Sequence, residues 1–145
     1  MSEEQNQNYK IILEYIKDLS IETPSATTLL SVREKIGNYN LDIDISSLVL
    51  KNKSLEITTT LILQDKSEVN KNKAFFEIKY ATVITINSSI TDKKIISKIV
   101  LCDLQKIIYP KIEKIFIDII KNAGYPNIIF EKKVDFEKMY NEKFN

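Results

Sequence analysis

The chain has 145 residues, which is close to the usual size of one domain and is enough to bury a single hydrophobic core. Its 21 basic and 20 acidic residues give a net charge of +1, so the chain as a whole lacks the strong positive field typical of nucleic-acid or anionic-membrane binding. The absence of histidine excludes the common hydrolytic triads and most zinc sites.

The first eight residues are polar and are expected to form a disordered tail before a single domain at residues 9–145. They lack the basic and apolar regions of a signal peptide, and the single cysteine, Cys102, cannot form a disulfide within the chain. No apolar run approaches the roughly 20 residues that span a bilayer. We therefore expect a soluble cytoplasmic protein with no direct membrane insertion and no nucleic-acid partner.

A half-buried strand is predicted over residues 11–22, because apolar residues fall on odd positions and polar residues mostly on even positions. Pro24 should end it, since proline restricts the residue before it and cannot donate to a sheet. The segment up to Asn38 then has the character of a crossover with a possible helical turn.

Three further strands follow the crossover. Residues 41–46 alternate most clearly between apolar and polar, and residues 55–63 and 75–86 are rich in the β-branched and aromatic types that favour strands. The polar loop at residues 64–73 suits a hairpin. Four consecutive strands without helices between them predict an antiparallel sheet with one face toward a core.

The apolar period then changes to three and four residues, which predicts a long amphipathic helix over residues 104–123. Its stripe is wider than one sheet face requires and favours a second partner surface, such as another subunit. Pro110 should bend this helix or lie near its beginning. Asp92 is a candidate cap for a shorter preceding helix, and Gly124 followed by Pro126 is a stop signal.

A final helix is predicted after Asp135, a candidate N-cap. Its apolar face consists of Phe136, Met139, Tyr140 and Phe144. The predicted fold class is therefore α+β, a four-stranded antiparallel sheet followed by C-terminal helices that pack on one face.

Few side chains suit catalysis, and we expect neither enzyme activity nor a cofactor. Asp42 and Asp44 share the outward face of an alternating strand, where carboxylates are usually solvated. Cys102 lies among apolar neighbours with no histidine to activate it, which favours a core thiol. The two glycines, Gly37 and Gly124, are too far apart for a phosphate-binding loop.

The sequence GYPNIIFEKKVDFEKMY, at residues 124–140, resembles the SecB family of bacterial protein-export chaperones. In that family a long helix with an aromatic-proline step ends at glycine, an aromatic-proline segment follows, and a V-x-F helix closes the fold. The matching steps are Tyr109-Pro110, Gly124, Tyr125-Pro126 and Val134-Asp135-Phe136. YIKDLSIETPSA, at residues 15–26, is similar to the family's first strand, and NLDIDI, at residues 40–45, matches more weakly.

The resemblance implies a homotetramer, a dimer of dimers, that binds unfolded preproteins without ATP. Clients would lie in hydrophobic grooves between the crossover and the last helix with its preceding loop, where large and adaptable side chains suit many sequences. The alternative for each residue is that it packs the last helix onto the sheet. The candidate client-binding residues are Tyr125, Ile128, Phe130, Phe136, Met139 and Tyr140.

The family also docks on SecA, the translocation ATPase, through the outward face of its sheet. The matching positions are Asp18, Glu22, Phe75 and Glu77, and strand alternation predicts that all four face water. An exposed Phe75 beside a carboxylate is either part of a binding site or a singly exposed aromatic residue. Two other functions stay open: a SecB-like chaperone of a toxin–antitoxin pair, and a small-molecule binding module that uses the groove between sheet and helix.

Two features depart from the family pattern. Members are commonly acidic, whereas this chain is near neutral, and Lys35 lies in the crossover where the family often has an aromatic residue. The carboxylates of Asp18, Glu22 and Glu77 nevertheless favour the export function over the toxin–antitoxin alternative.

Overall fold

The computed structural model describes residues 8–69, 71–130 and 133–144. The predicted tail at residues 1–8 lies, apart from Asn8, outside the described residues. A 3-10 turn (Ile36–Asn38) follows the first helix, and a π-helical turn (Ile99–Asp103) joins the second helix to the third. The strands and helices, in chain order, are β1 (Tyr9–Glu22), α1 (Ala26–Lys35), β2 (Asn40–Val49), β3 (Ser54–Gln64), β4 (Phe75–Ile86), α2 (Lys93–Lys98), α3 (Leu104–Asn122) and α4 (Phe136–Phe144).

The four strands form one antiparallel sheet in the order β1–β4–β3–β2. β1 and β2 are therefore the edge strands, and α1 lies in the crossover between them. The inner face carries Leu61, Phe76 and Ile78, which are fully buried in the same core as α3. The outward face carries polar side chains such as Asp42 of β2 and Glu77 of β4, which both pair with Ile62 of β3 between them. This arrangement confirms the predicted α+β fold class.

β1 does not keep the single alternation that its sequence suggests. Its register with β4 shifts twice, near residues 12 and 17, and each extra residue reverses the alternation of side chains. Leu13 and Tyr15 consequently lie on the outward face, while the carboxylate of Glu14 faces the helices and is 2.9 Å from Lys111 Nζ of α3. The prediction that the odd-numbered apolar residues of this strand share the core face was wrong at Leu13 and Tyr15.

The crossover contains a full ten-residue helix, α1, where the sequence indicated at most a helical turn. Ser25 caps it, because the Ser25 hydroxyl accepts a hydrogen bond of 3.1 Å from the Thr28 backbone N–H. Only Thr28 and Val32 of this helix are buried. The apolar periodicity of this segment is therefore weak. The capping serine indicates the helix more clearly than the pattern of apolar residues does.

The capping predictions for the later helices are confirmed. The Asp92 carboxylate accepts a 2.9 Å hydrogen bond from the Lys94 N–H at the start of α2, and Asp135 accepts one of 3.0 Å from the Lys138 N–H at the start of α4. Pro110 lies inside α3. Gly124 follows the end of α3 with φ of 111°, in the left-handed region that favours glycine.

The core lies between the inner face of the sheet and α3. Ile108, Ile112, Phe116 and Ile120 recur every four residues, and all four are almost completely buried. Gln105 is the polar exception on this buried side of the helix. No helix in the described ranges combines the length and the hydropathy required to cross a membrane.

Candidate functional site

The segment after α3, which we call the C-terminal surface (residues 124–130 and 133–142), is tied to the crossover. The Arg33 guanidinium donates a hydrogen bond to the Gly124 carbonyl oxygen. A Cβ atom at Gly124 would lie 3.4 Å from Leu29 Cδ1, so α1 approaches this turn closely. The crossover and the C-terminal surface are therefore neighbours, as the family resemblance implied.

Tyr125 is a core residue in this arrangement. Only 3% of its surface is exposed, and its ring meets the ring of Phe76 edge-on with centroids 5.0 Å apart. Its hydroxyl hydrogen bonds with the Thr23 hydroxyl at 2.6 Å. The side chain joins the end of β1, the inner face of β4 and the C-terminal surface, so the observed conformation leaves no room for a client against it.

Two more of the candidate client-binding residues, Ile128 and Phe136, are also buried. The ring of Phe136 packs against Tyr109 of α3 at a centroid separation of 5.2 Å and an interplanar angle of 65°. Burial, and then the nearby carboxylate of Glu113, raises the pKa of Tyr109 above its ordinary value. Tyr109 therefore stays neutral, and Phe136 attaches α4 to α3.

Phe130, Met139 and Tyr140 remain partly accessible at the C-terminal surface. Met139 is 37% exposed, and the other two are half-buried. Ile129 is 80% exposed and was missed by the sequence interpretation. The consecutive isoleucines at 128 and 129 could have indicated this exposure, because neighbouring side chains of an extended segment point in opposite directions and only one of the two can enter the core. Phe144, also expected on this face, has a side chain outside the described residues.

A groove of about 520 Å3 opens between the inner face of β2 and the helical run that begins with α2. In the described part of the chain, β2 has a neighbouring strand on one side only. An extended peptide with apolar side chains fits such a site, because backbone hydrogen bonds to a sheet edge add to side-chain burial. Sequence reasoning missed the groove, since it depends on where α2 lies over the sheet. The lining residues are Ile45, Ser46, Ser47, Val49, Leu55, Lys93, Ile96, Ser97, Val100 and Leu101.

The four candidate docking residues lie together on the outward faces of β1 and β4. Glu22 pairs directly with Phe75, and Glu77 lies two residues further along the same face of β4. Asp18 and Glu22 are exposed, whereas Phe75 and Glu77 are half-buried, so the two carboxylates of β1 are the more accessible. Lys79 pairs with Asp18 and adds a positive charge that the sequence interpretation did not anticipate, because the pairing register is a tertiary property.

A second polar cluster on the outward face joins β1 to β3. The Glu56 carboxylate accepts hydrogen bonds from Lys17 Nζ at 2.6 Å and from the Tyr15 hydroxyl at 2.7 Å. These bonds, with Lys17 contributing most, lower the pKa of Glu56, which keeps the carboxylate ionised. The described residues contain no group of three or more histidine, cysteine, aspartate and glutamate side chains that could hold a metal ion.

Burial also determines the chemical state of the Cys102 thiol. Its side chain is fully buried, and desolvation raises the pKa of the thiol. A protonated, enclosed thiol is a poor nucleophile. The groove and the charged outward face are the surfaces of the described residues that suit binding to apolar polypeptide and to charged protein surfaces.

The sequence matches a defined protein family along nearly its whole length. The profile of the family described as "Preprotein translocase subunit SecB" matches residues 2–145. A "Putative protein-export protein SecB" of Pelagibacter ubique (strain HTCC1062) is 45% identical over 139 residues, covering 96% of this chain and 99% of that protein. A "Protein-export protein SecB" of Bradyrhizobium sp. (strain BTAi1) is 25% identical over 133 residues, covering 91% of this chain and 79% of that protein.

A solved structure shares the fold at low sequence identity. It is a Mycobacterium tuberculosis SecB-like chaperone in complex with a peptide from an antitoxin. The TM-score is 0.65 with 11% identity, and the match covers 91% of this chain and 92% of that one. At this identity the likeness concerns the fold.

Proposed function

This chain belongs to the SecB family, and from that premise we propose that it holds unfolded preproteins without ATP and delivers them to the translocation ATPase SecA. Membership and fold together support a chaperone role in protein export. The observation that carries the finer proposal is the groove of about 520 Å3 beside the edge strand β2, with a largely aliphatic lining.

Clients are held in this proposal by many weak contacts. An extended segment can add to the edge of β2 while its side chains enter the groove, and the accessible residues Ile129, Phe130 and Met139 offer a second apolar site. Methionine and aliphatic side chains adapt to different client sequences. Several such sites on one assembly raise the effective local concentration, which gives tight holding without a dominant pocket.

The assembly is proposed to be a homotetramer, a dimer of dimers. β1 is an edge strand along which Ile12, Leu13, Ile16 and Leu19 are each 42–50% exposed. Ile107 of α3 is 53% exposed as well. Apolar edge strands in stable proteins are usually covered, and pairing with a second copy of β1 is the arrangement that satisfies its backbone groups and buries these side chains.

Client holding is tested by replacing Met139 and Tyr140 with aspartate. Charge at the C-terminal surface should impose a desolvation cost of about 2 kcal/mol or more on any client that covers it, so suppression of client aggregation should fall sharply. Ser88→Asp with Thr91→Asp adds the same two charges at exposed positions outside the C-terminal surface and the groove, so this variant is the matched control and should retain holding. Circular dichroism and sedimentation must show that α4 and the assembly survive. A folded double variant that suppresses aggregation as well as the wild type would remove the C-terminal surface from the client site.

Docking on SecA is tested by charge reversal on the outward face. Glu77→Lys, or Asp18→Lys together with Glu22→Lys, should weaken SecA binding and leave client holding intact, because these side chains lie opposite the core. Glu34→Lys is the control, because it makes the same change of charge as Glu77→Lys but lies on the exposed side of α1, away from the outward face of the sheet. Unchanged SecA affinity in both outward-face variants would reject this face as the docking site.

The other two functions make different predictions. A toxin–antitoxin chaperone would prefer an antitoxin peptide over unfolded preproteins, and a small-molecule module would yield a stoichiometric ligand from the purified protein. The 45% identity to a protein named for export favours the export role over both. A competition assay between preprotein and antitoxin peptide separates the export chaperone from the toxin–antitoxin chaperone.

A further inference from the structure

The net charge of +1 hides an uneven distribution of lysines. Five exposed lysines lie at the end of the sheet formed by the β2–β3 turn, which we call the hairpin end (residues 48–54 with Lys10 and residues 92–95). Asp92 is the acidic residue of this set, and its carboxylate caps α2. The five lysines are Lys10, Lys51, Lys53, Lys93 and Lys94.

The topology brings these lysines together. Ser54, at the end of the β2–β3 turn, pairs with Thr85 of β4, which pairs in turn with Lys10 of β1. Lys93 lines the groove beside Val49, so the start of α2 lies against the same end of the sheet. No salt bridge involves these five lysines within the described residues, whereas Lys17, Lys66, Lys106 and Lys111 elsewhere all pair with carboxylates.

Apolar side chains protrude among these charges. Leu48 is 59% exposed, Val49 is 76% exposed, and Ile95 at the start of α2 is 47% exposed. Large aliphatic residues beside lysines are the combination that peripheral membrane proteins present to a bilayer, where the apolar groups enter the headgroup boundary and the ammonium groups contact anionic lipids.

The turn itself retains a lysine where glycine is conformationally favoured. Asn52 and Lys53 have φ of 61° and 59°, which is the conformation of a two-residue hairpin turn that commonly carries Asn-Gly. The Lys53 carbonyl accepts a hydrogen bond from the Ile86 N–H, so the turn is also attached to β4. A charged side chain held in this conformation at the tip indicates a use for the charge.

We propose that the hairpin end is a peripheral docking surface for a bilayer rich in anionic phospholipids. An anionic bilayer accounts for both the unpaired lysines and the protruding aliphatic side chains. A nucleic acid would use the lysines for phosphate contacts but would leave the protruding aliphatic side chains in water, and the hairpin end has no arginine or aromatic side chain to add to those contacts. The hairpin end shares Val49 and Lys93 with the groove, whereas Leu48, Lys51 and Lys53 do not line it, so variants at these three residues separate membrane docking from client holding.

Flotation of the intact protein with vesicles provides the test. The protein should float with phosphatidylcholine vesicles that contain phosphatidylglycerol but not with pure phosphatidylcholine, and raising the salt from about 50 to about 300 mM should weaken binding. Lys51→Gln with Lys53→Gly should weaken it by about fivefold per lysine. Lys53→Gly also suits the backbone conformation, so a loss of binding is not a loss of folding. Leu48→Ser should weaken binding at both salt concentrations.

Lys71→Gln with Lys73→Gln at the opposite end of the sheet is the matched charge control and should bind as the wild type does. An equal loss in this control, equal flotation with neutral vesicles, or capture by RNA or polyglutamate without vesicle binding would overturn the proposal. Suppression of client aggregation by the Lys51 and Lys53 variant should be unchanged. If the wild type floats with anionic vesicles but holds no client, the proposed chaperone function fails and the docking surface stands.

Discussion

Gly124 is the single residue on which the position of the C-terminal surface depends most directly. It adopts φ of 111° after α3, its carbonyl accepts a hydrogen bond from Arg33, and Leu29 of α1 lies against it. The turn places Tyr125 between β1 and Phe76. One backbone conformation thus brings together the end of α3, the crossover and the sheet.

Gly124→Ala should lower the free energy of unfolding by about 1–2 kcal/mol, because residues with a Cβ atom rarely adopt this conformation. Thermal unfolding at a fixed protein concentration should show a Tm lower by a few degrees. Gly37→Ala is the matched control, since no atom lies within 4 Å of a Cβ built there. Equal Tm values for the two variants would show that the turn at Gly124 carries no strain.

Among the elements, the π-helical turn between α2 and α3 is held by a buried polar contact. Gln105 Nε2 donates to the Thr59 hydroxyl at 3.0 Å and to the Val100 carbonyl at 3.4 Å. Gln105 and Thr59 have no exposed surface. The Gln105 amide therefore donates to a carbonyl of the π-helical turn and, through Thr59, also fixes the position of α3 on β3.

Gln105→Leu alone should destabilise the protein by about 1–3 kcal/mol, because it leaves the Thr59 hydroxyl and the Val100 carbonyl buried without this donor. Adding Thr59→Val should recover part of the loss, since both side-chain partners are then apolar. Chemical denaturation of the wild type, the two single variants and the double variant measures the coupling. Additive losses would show that the two residues act independently.

The strands, the caps and the glycine stop of α3 could be predicted because each depends on a few neighbouring residues. The bulges of β1 could not, since alternation in a sequence gives no sign of where the partner strand shifts. The same limit applies to Lys79 opposite Asp18. Among the candidate client-binding residues, the pattern identified apolar positions but could not separate Tyr125, which the core takes up, from Met139, which stays accessible.

At the scale of the whole molecule, β1 is an edge strand that has a neighbouring strand on one side only within the described residues. Ile16 and Leu19 are both more than 40% exposed in β1, and each pairs with a residue of the inner face of β4. Contact with a second subunit is the simplest way to remove this apolar surface from water. The proposed tetramer therefore depends on β1 more than on any pocket.

Ile16→Glu together with Leu19→Glu should convert the tetramer to smaller species without unfolding the subunit, because charged side chains protect an edge strand from pairing. Sedimentation velocity at micromolar concentration measures the mass, and circular dichroism reports the fold. Leu30→Glu on the exposed face of α1 is the control and should remain tetrameric. A monomeric wild type, or a tetrameric double variant, would contradict the assembly.

The pairing of the first strand with the fourth also matters during synthesis. β1 leaves the ribosome early, but its partner is complete only after Ile86 has been added, which takes roughly 3 to 13 s after Glu22 at about 5–20 residues per second. During that interval the aliphatic side chains of β1 have no sheet to join. The nascent chain thus briefly exposes an extended apolar segment of the kind that the finished protein is proposed to capture. Copies that are already assembled could therefore bind β1 of new chains during their synthesis.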